Sequence, residues 1–149
     1  MKTLAKNKKA YFDYEILEKF EAGIVLIGQE VKSIKLDRIN LSGAYVVLRG
    51  GEVYLVNASV PPYQPKNLQI DYDPTRPRKL LLRKSEIKYL IGKTEEKRLT
   101  LIPLRVYANK GKIKLEFAVG KGRKKANKKE LIKKRDTERE IERELKLRG

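Results

Sequence analysis

Apolar and polar residues alternate in short runs along this chain, and glycine, proline and asparagine separate the runs. The clearest case is Tyr45-Val46-Val47-Leu48-Arg49, then Gly50-Gly51, then Glu52-Val53-Tyr54-Leu55-Val56. A two-residue Gly-Gly loop between alternating runs predicts a β-hairpin over 44–57 with a type I′ or II′ turn. A second hairpin is predicted from 100–107 and 112–119, joined around Asn109-Lys110-Gly111. Pro103 inside its first strand has no N–H to give, which predicts an edge or a bulge there. Ile24-Val25-Leu26-Ile27 reads as a β-branched core strand entered through a bend at Ala22-Gly23, with Gly28 marking a bulge or close backbone approach. Just before it, Tyr14 and Ile16 open a period-2 alternation that Glu18 breaks, while Ile16, Leu17 and Phe20 fit a helical turn. The pattern leaves strand and helix both open over that stretch.

Two helices are predicted. Val31, Ile34 and Leu36 place a short one between strands, and 85–91 gives another, with Ser85 as cap, Ile87, Leu90 and Ile91 on one face, and Gly92 as stop. Pro61, Pro62 and Pro65 open a long irregular loop that passes Pro74 and Pro77 and ends near residue 78; loops of that length have a function or are disordered. Residues 1–9 read as a basic arm, mobile until bound. About six strands with two or three short helices, joined by turns instead of βαβ crossovers, predict an all-β dominated, closed antiparallel barrel over 1–119. The OB-fold is a barrel of this kind and binds nucleic acid on its open face. Fold class raises that reading without settling it.

Charge changes the picture most. The chain of 149 residues, one domain in length, carries a net charge of +17. Enrichment in Lys and Glu, as in thermophile surfaces, explains many charges but not their imbalance. A field of that size points to a polyanion as partner. Cys and His are both absent, so the sequence offers no disulfide, no Cys or His metal site, no Cys nucleophile and no His general base. No cofactor, metal or catalytic residue is expected. Met1-Lys2-Thr3-Leu4-Ala5-Lys6 is followed by more lysines and no apolar run, unlike a signal peptide. No stretch approaches the ~18–20 apolar residues that span a bilayer. A cytoplasmic protein with no membrane partner is the expectation.

Residues 120–149 differ in kind, with 13 Lys/Arg against 6 Asp/Glu, a net of +7 that leaves +10 for 1–119. Its basic residues gather first, at Lys121, Lys124, Lys125, Lys128, Lys129, Lys133, Lys134 and Arg135. Such a block is too polar to pack on a core and is expected to be disordered when free. Opposite charges spaced three apart follow, from Arg135 and Asp136 to Glu144, each pair worth only about 0.2–0.5 kcal/mol to a helix. A segment that becomes helical where phosphates neutralise its lysines fits this order better than a plain solubilising tail.

No phosphate-binding loop, dinucleotide fingerprint or nucleophile elbow occurs. The usable chemistry is lysine and arginine for phosphates and aromatics for bases. Tyr45, Tyr54 and Phe117 lie in predicted strands and read as core before base contacts, whereas Tyr11, Tyr63 and Tyr72 flank arms or loops and are better placed to meet RNA. An enzyme that processes RNA would need paired acids, which are not seen. An OB-fold ribosomal protein or translation factor would share the charge and the barrel.

Several short motifs occur in order: Asn7-Lys8-Lys9-Ala10, Glu21-Ala22-Gly23-Ile24, Glu30-Val31-Lys32-Ser33, and Asp73-Pro74 with Arg76 ahead of Arg78-Lys79-Leu80-Leu81-Leu82. As a set they resemble the SsrA-binding protein (small protein B) family over nearly the whole chain. The resemblance implies an OB-type barrel that binds the tRNA-like domain of tmRNA (SsrA RNA), gripping its D-loop and elbow, and brings it to stalled ribosomes. It also implies a monomer in complex with tmRNA, the complex standing in for an anticodon arm, and a tail entering the empty mRNA channel at the decoding region of the small-subunit rRNA. The RNA-facing residues it implies are Asn7, Lys8, Lys9, Glu21, Lys32, Leu81 and Lys112; the ribosome-contacting ones are the tail cations named above. In chemical terms the lysines neutralise phosphates, Asn7 donates and accepts at a sugar or base edge, and ionised Glu21 only accepts. On sequence alone Glu21 also fits a simple pair with a lysine, and Leu81 fits the core. The tail departs from the family. Gly122-Arg123-Lys124 matches its G-K-K, but Asn127-Lys128-Lys129 stands where D-K-R is usual, with Ala126 where an aromatic or His often precedes.

Overall fold

The computed structural model describes residues 1–64, 71–96 and 98–123. Along them run β1 (Lys2–Lys6), α1 (Ala10–Asp13), β2 (Tyr14–Ile24), α2 (Gly28–Lys35), β3 (Tyr45–Arg49), β4 (Glu52–Val56), β5 (Arg78–Leu81), α3 (Lys84–Thr94), β6 (Leu99–Asn109) and β7 (Lys112–Gly122). All strand pairs are antiparallel, in one sheet of order β1-β6-β7-β2-β5-β4-β3. The all-β class is as predicted, but the described residues form seven strands, not six. The sheet curls until β3 and β6 approach within 8 Å, Cα to Cα, and Val46 and Leu101 share the core. No hydrogen-bonded ladder closes it there, so the sheet is open and not a closed barrel.

Both hairpins form where predicted. Arg49 pairs with Glu52 across Gly50 and Gly51, whose φ angles of 60° and 74° suit glycine and give the type I′ turn. The second turn is tighter than expected, since Asn109 already pairs with Lys112. Pro103 sits at a bulge: the β6–β7 register shifts between Pro103 and Arg105, and the β1 ladder ends opposite Arg105. The position therefore needs no proline N–H.

The stretch left open in the sequence is strand. A register shift between Ile16 and Glu18 places one extra residue, Leu17, in β2. One extra residue reverses which side chains point inward. Tyr14 and Ile16 pack on a small outer cluster of Ala10, Ile102, Leu104 and Ala118, while Phe20, Ala22 and Ile24 join the main core. That core is built from Val53 and Leu55 on β4, Leu80 on β5 and Leu115 and Phe117 on β7, closed by Ile34 of α2 and Leu90 of α3.

Other expectations are corrected. The N-terminal arm is an edge strand, β1, that inserts Leu4 into the core. Ala22-Gly23 continues β2 instead of bending, and Val25 and Ile27, which read as core strand, are 44% and 43% exposed. The chain must turn there because Gly28 is the first residue of α2, not a bulge. Helix α3 starts before Ser85, with the Glu86 carboxylate accepting the Arg83 N–H at 3.1 Å, and it runs through Gly92 to Thr94. Strand β7 reaches Gly122, past the expected boundary at 119. Gly120 is fixed by crowding: a Cβ there would stand 2.5 Å from Ile102 Cδ1 and 3.0 Å from the Glu15 carbonyl.

One buried ion cluster ties the connection between β4 and β5 to this frame. Glu30 and Arg78 are wholly buried. The Glu30 carboxylate accepts from Arg78 Nε at 2.8 Å, from Arg76 Nε at 3.1 Å, from a second Arg76 nitrogen, and from the Ile27 N–H at 3.0 Å. Arg78 also donates to the carbonyls of Ala58 and Pro74, at 2.8 and 2.9 Å. Asp73 orders the turn between them, its Oδ1 accepting from the Thr75 N–H at 2.9 Å. Burial alone would raise the Glu30 pKa; donation from Arg76, Ile27 and Arg78 outweighs it and holds the carboxyl below its ordinary value of 4.5.

Removing one member leaves buried charge unpaired, so Glu30→Ala should lower stability by about 3–5 kcal/mol in urea denaturation. Because the folded-state pKa is lowered, Glu30 stabilises the fold fully above pH 4.5 and progressively less as pH falls through its folded value. The alanine variant should lack that acid-sensitive component. In β5, Leu80 is buried and its neighbour Leu81 is 55% exposed. Leu80→Ala should cost about 2–5 kcal/mol, and Leu81→Ala less than about 0.5 kcal/mol, in the same assay.

Candidate nucleic-acid interface

Strand alternation sends one set of side chains away from the core. With Phe20, Ala22 and Ile24 inward, Lys19, Glu21 and Gly23 of β2 face out. On β7, inward Ile113, Leu115 and Phe117 leave Lys112, Lys114 and Glu116 outward. Leu81 of β5 pairs with Gly23. Glycine offers no side chain there, and Leu81 lies over it, with its Cβ and Cδ1 3.5 Å from where a Cβ would be. A recess of about 590 Å³ opens beside this contact, lined by Glu21, Leu81, Leu82, Arg83, Glu86 and Lys114. Two carboxylates, of which Glu86 already accepts the Arg83 N–H, an exposed apolar surface and two cations thus converge. That set can take a base edge, a stacked base and phosphates.

A second outward recess, of about 460 Å³, lies beyond Glu116, with Lys6, Lys8, Tyr11, Lys19 and Arg105 among its walls. Glu116 is the Cα partner of Glu21, so the two recesses are neighbours on one face. Arg105 reaches Glu116 at 3.4 Å and the Thr3 hydroxyl at 3.2 Å. The Lys19 ammonium stands 5.5 Å from the centre of the Tyr11 ring. The turn between β1 and α1 supplies the rim. Asn7 anchors it, donating from Nδ2 to the Pro103 carbonyl at 2.9 Å and from its N–H to Leu104 at 2.8 Å. Lys8 and Lys9 are left exposed. The same turn also edges a cleft of about 640 Å³ that includes Asn40, Ser42 and Tyr45.

The structure sorts the expected RNA-facing residues. Asn7, Lys8 and Lys9 are together on one turn, with the Asn7 amide partly committed to the fold. Glu21 and Leu81 share a recess; Leu81 is outside the core, and Glu21 has no ion pair to lysine among the described residues. Lys112 is exposed on the same face but at the hairpin end, outside that recess; Lys114 is the β7 lysine that lines it. Both lysines alternate with core residues, so the sequence shows their face, but only the β2–β7 register shows which one meets Glu21. Lys32 stands exposed on α2, its ammonium 5.5 Å from the Tyr63 ring, and lines neither recess.

Among the tail cations, Lys121 belongs to β7, paired with Glu15 and Leu99. Lys124, Lys125, Lys128, Lys129, Lys133, Lys134 and Arg135 lie outside the described residues. Of the aromatics, Phe117 is core as expected, but Tyr45 is 48% exposed. Tyr72, expected near RNA, instead donates to the Val60 carbonyl at 2.7 Å and borders Glu30 and Arg78. Burial first, then the Glu30 charge, raises its phenol pKa. No group of three or more potential metal-binding acids occurs among the described residues, and none of their helices is long and apolar enough to cross a membrane.

Known proteins share this sequence and fold. A family model described as SmpB protein matches residues 4–147. An SsrA-binding protein of a Sulfurihydrogenibium species is 51% identical over 145 residues, covering 97% of this chain and 95% of the relative. An SsrA-binding protein of Carboxydothermus hydrogenoformans is 49% identical over 147 residues, covering 99% and 98%. A solved structure described as "tmRNA-SmpB: a journey to the center of the bacterial ribosome" superposes with a TM-score of 0.67 at 41% identity, covering 86% of this chain and 93% of its own. Matched by that model from residue 4 to residue 147, and about half identical to relatives along nearly all of its length, this chain belongs to the SmpB protein family.

Proposed function

We propose that this chain binds the tRNA-like domain of tmRNA and carries it to stalled ribosomes for trans-translation. The observation that carries this reading is the meeting of Glu21, Leu81 and Lys114 in one outward recess, beside a second recess walled by Lys6, Lys8, Lys19 and Arg105. The lysines and arginines hold phosphates and set orientation; Glu21 and Leu81 read what the phosphates bring to them. A carboxylate in such a basic face would be a poor choice for bulk RNA, because it repels any phosphate that lands on it. It rewards only a fold that presents an amino group or 2′-hydroxyl there.

The role is binding and not catalysis, in keeping with a sequence that holds neither His nor Cys. We read the curled sheet as an OB-type barrel whose seam at β3 and β6 is packed by side chains such as Val46 and Leu101. It acts as a monomer in complex with the RNA in the cytoplasm. The basic residues from Lys124 onward serve a separate role, directed at the small-subunit rRNA of the decoding region, and Lys128 and Lys129 take the part of the altered D-K-R segment.

Affinity for a tRNA-like RNA fragment tests the division of labour. Charge reversal at Lys8 and Lys9 should weaken binding and reduce the slope of log affinity against log salt by about 0.9 for each duplex phosphate no longer neutralised. An unchanged slope would remove the β1–α1 turn from the interface. Deleting residues 124–149 should preserve RNA affinity and abolish action on stalled ribosomes; loss of RNA affinity in the truncated chain would refute the separation of roles.

A further inference from the structure

A row of outward side chains crosses the sheet beside Leu81 and lines neither recess. On β4, inward Val53 and Leu55 leave Glu52 and Tyr54 outward; on β3, inward Val46 and Leu48 leave Val47 and Arg49. Val47 pairs with Tyr54, and Tyr54 with Lys79 of β5. The Val25 N–H donates to the Lys79 carbonyl at 2.9 Å, continuing the register of Gly23 with Leu81 and Ile24 with Leu80. Val25, Lys79, Tyr54 and Val47 therefore stand in line, and Tyr54, which read as core in the sequence, faces out. Outward positions on the solvated face of an antiparallel sheet are ordinarily polar. Here Val25 is 44% exposed, and Tyr54 and Val47 are only partly buried. Helices α2 and α3 join the core on the opposite side, through Ile34 and Leu90. Lys79 reaches Glu52 at 3.4 Å, and Arg49 is the Cα partner of Glu52, so two cations edge the row against one carboxylate.

We propose that Tyr54 is a stacking surface for an unpaired base of the same RNA, with Lys79 beside it for the adjoining phosphate. The stacking role rests on the reading that the Leu81 recess meets RNA. Tyr54 and Leu81 are diagonal neighbours on adjacent strands, which places them roughly 7–8 Å apart. The exposed apolar surface thus runs without a break from the recess across β5 to β4. Its composition fits a nucleotide: an aromatic ring and aliphatic side chains for the flat face of a base, and cations at the margin for its charged backbone. Stacking of this kind is indifferent to base identity, so Tyr54 adds affinity, and the reading of donors stays with Glu21.

In the full chain, Tyr54→Ala should weaken binding of a tRNA-like RNA fragment about tenfold. The salt slope should stay as it is, since no cation is lost. Tyr54→Phe, which keeps the ring and removes only the hydroxyl, should bind like wild type. Wild-type affinity in Tyr54→Ala would overturn the proposal, and is the result expected if a protein covers this face. A loss in Tyr54→Phe equal to that in Tyr54→Ala would also overturn it, because a ring that stacks needs no hydroxyl. If Glu21→Ala binds like wild type, the reading of the recess fails and the stacking role falls with it; a weakened Glu21→Ala beside an unaffected Tyr54→Ala sinks the stacking role alone. A second measurement does not depend on the alanine variant folding. The chain contains no tryptophan, so Tyr54→Trp carries a single indole, whose fluorescence a stacked base should quench when the fragment binds. Unchanged emission in the bound state would show that no base lies on this position.

Discussion

Glu30 is a carboxylate with no access to water, and two guanidiniums, a backbone N–H and a neighbouring phenol border it. Burying a charge costs several kcal/mol, and only close to full satisfaction by donors offsets that cost. The requirement explains why the segment from Val60 to Arg78 can be irregular yet ordered where it is described. Its described backbone before Arg78 forms no ladder; it is gathered by Arg78, which donates to Ala58 and Pro74, and by the Val60 N–H, which donates to Pro74 at 2.9 Å. The same carboxylate receives the Ile27 N–H and so starts α2. One side chain thereby sets the entry to a helix, the path of a long connection and the root of β5. Since β5 presents Leu81 against Gly23, the buried cluster also reaches the outer face through a single strand.

The outer face works by contrast. Its carboxylates are exposed or half-exposed, and no cage of donors surrounds them. Arg105 serves Glu116, while Glu21 has no ion pair among the described residues. Around them stand Lys6, Lys8, Lys19, Arg83 and Lys114, cations without which a strip of two opposed glutamates would repel RNA. The positive field brings the RNA in over distances of order the ~10 Å Debye length. On the proposed reading the negative strip acts only at contact, where it distinguishes a donor from a phosphate. Attraction and discrimination would then fall to different residues on the same strands.

How much of this was legible follows from the range of each interaction. Hairpins are local, and Gly50-Gly51 and Lys110-Gly111 announced both of them. The strand that needed a bulge was not readable as strand, because Leu17 breaks the alternation that identifies one. The β-branched run Val25 to Ile27 misled for the opposite reason: its composition suits a strand, but the demand of Glu30 for the Ile27 N–H turns the chain there. Strands β1 and β5 are short, and their pairing with β6 and β4 spans long stretches of sequence, so no local pattern marks them. At the interface, the residue types and the face were legible, but partnership was not. That Lys114 is the lysine beside Glu21, and that Leu81 lies over Gly23 outside the core, depends on register between strands some 60 to 90 residues apart. The motifs that identified the family hold two kinds of residue: Glu30, Asp73, Arg76 and Arg78 are internal ties, whereas Lys8, Lys9, Glu21 and Leu81 face outward.

The extra residue at Leu17 has a consequence for what sequence change this strand can bear. Upstream of it, side chains at even positions look outward; downstream, those at odd positions do. Deleting Leu17 would leave Ile16 opposite Gly120 and Glu18 opposite Val119, so pairing becomes regular and no side chain changes face. One more residue with no bulge to absorb it would instead reverse one half, sending Glu21 into the core or Phe20 into solvent. Replacing Leu17 by almost any other residue likewise leaves every face as it is. What this position provides is therefore slack: the strand absorbs a change or a loss there, but not an uncompensated gain.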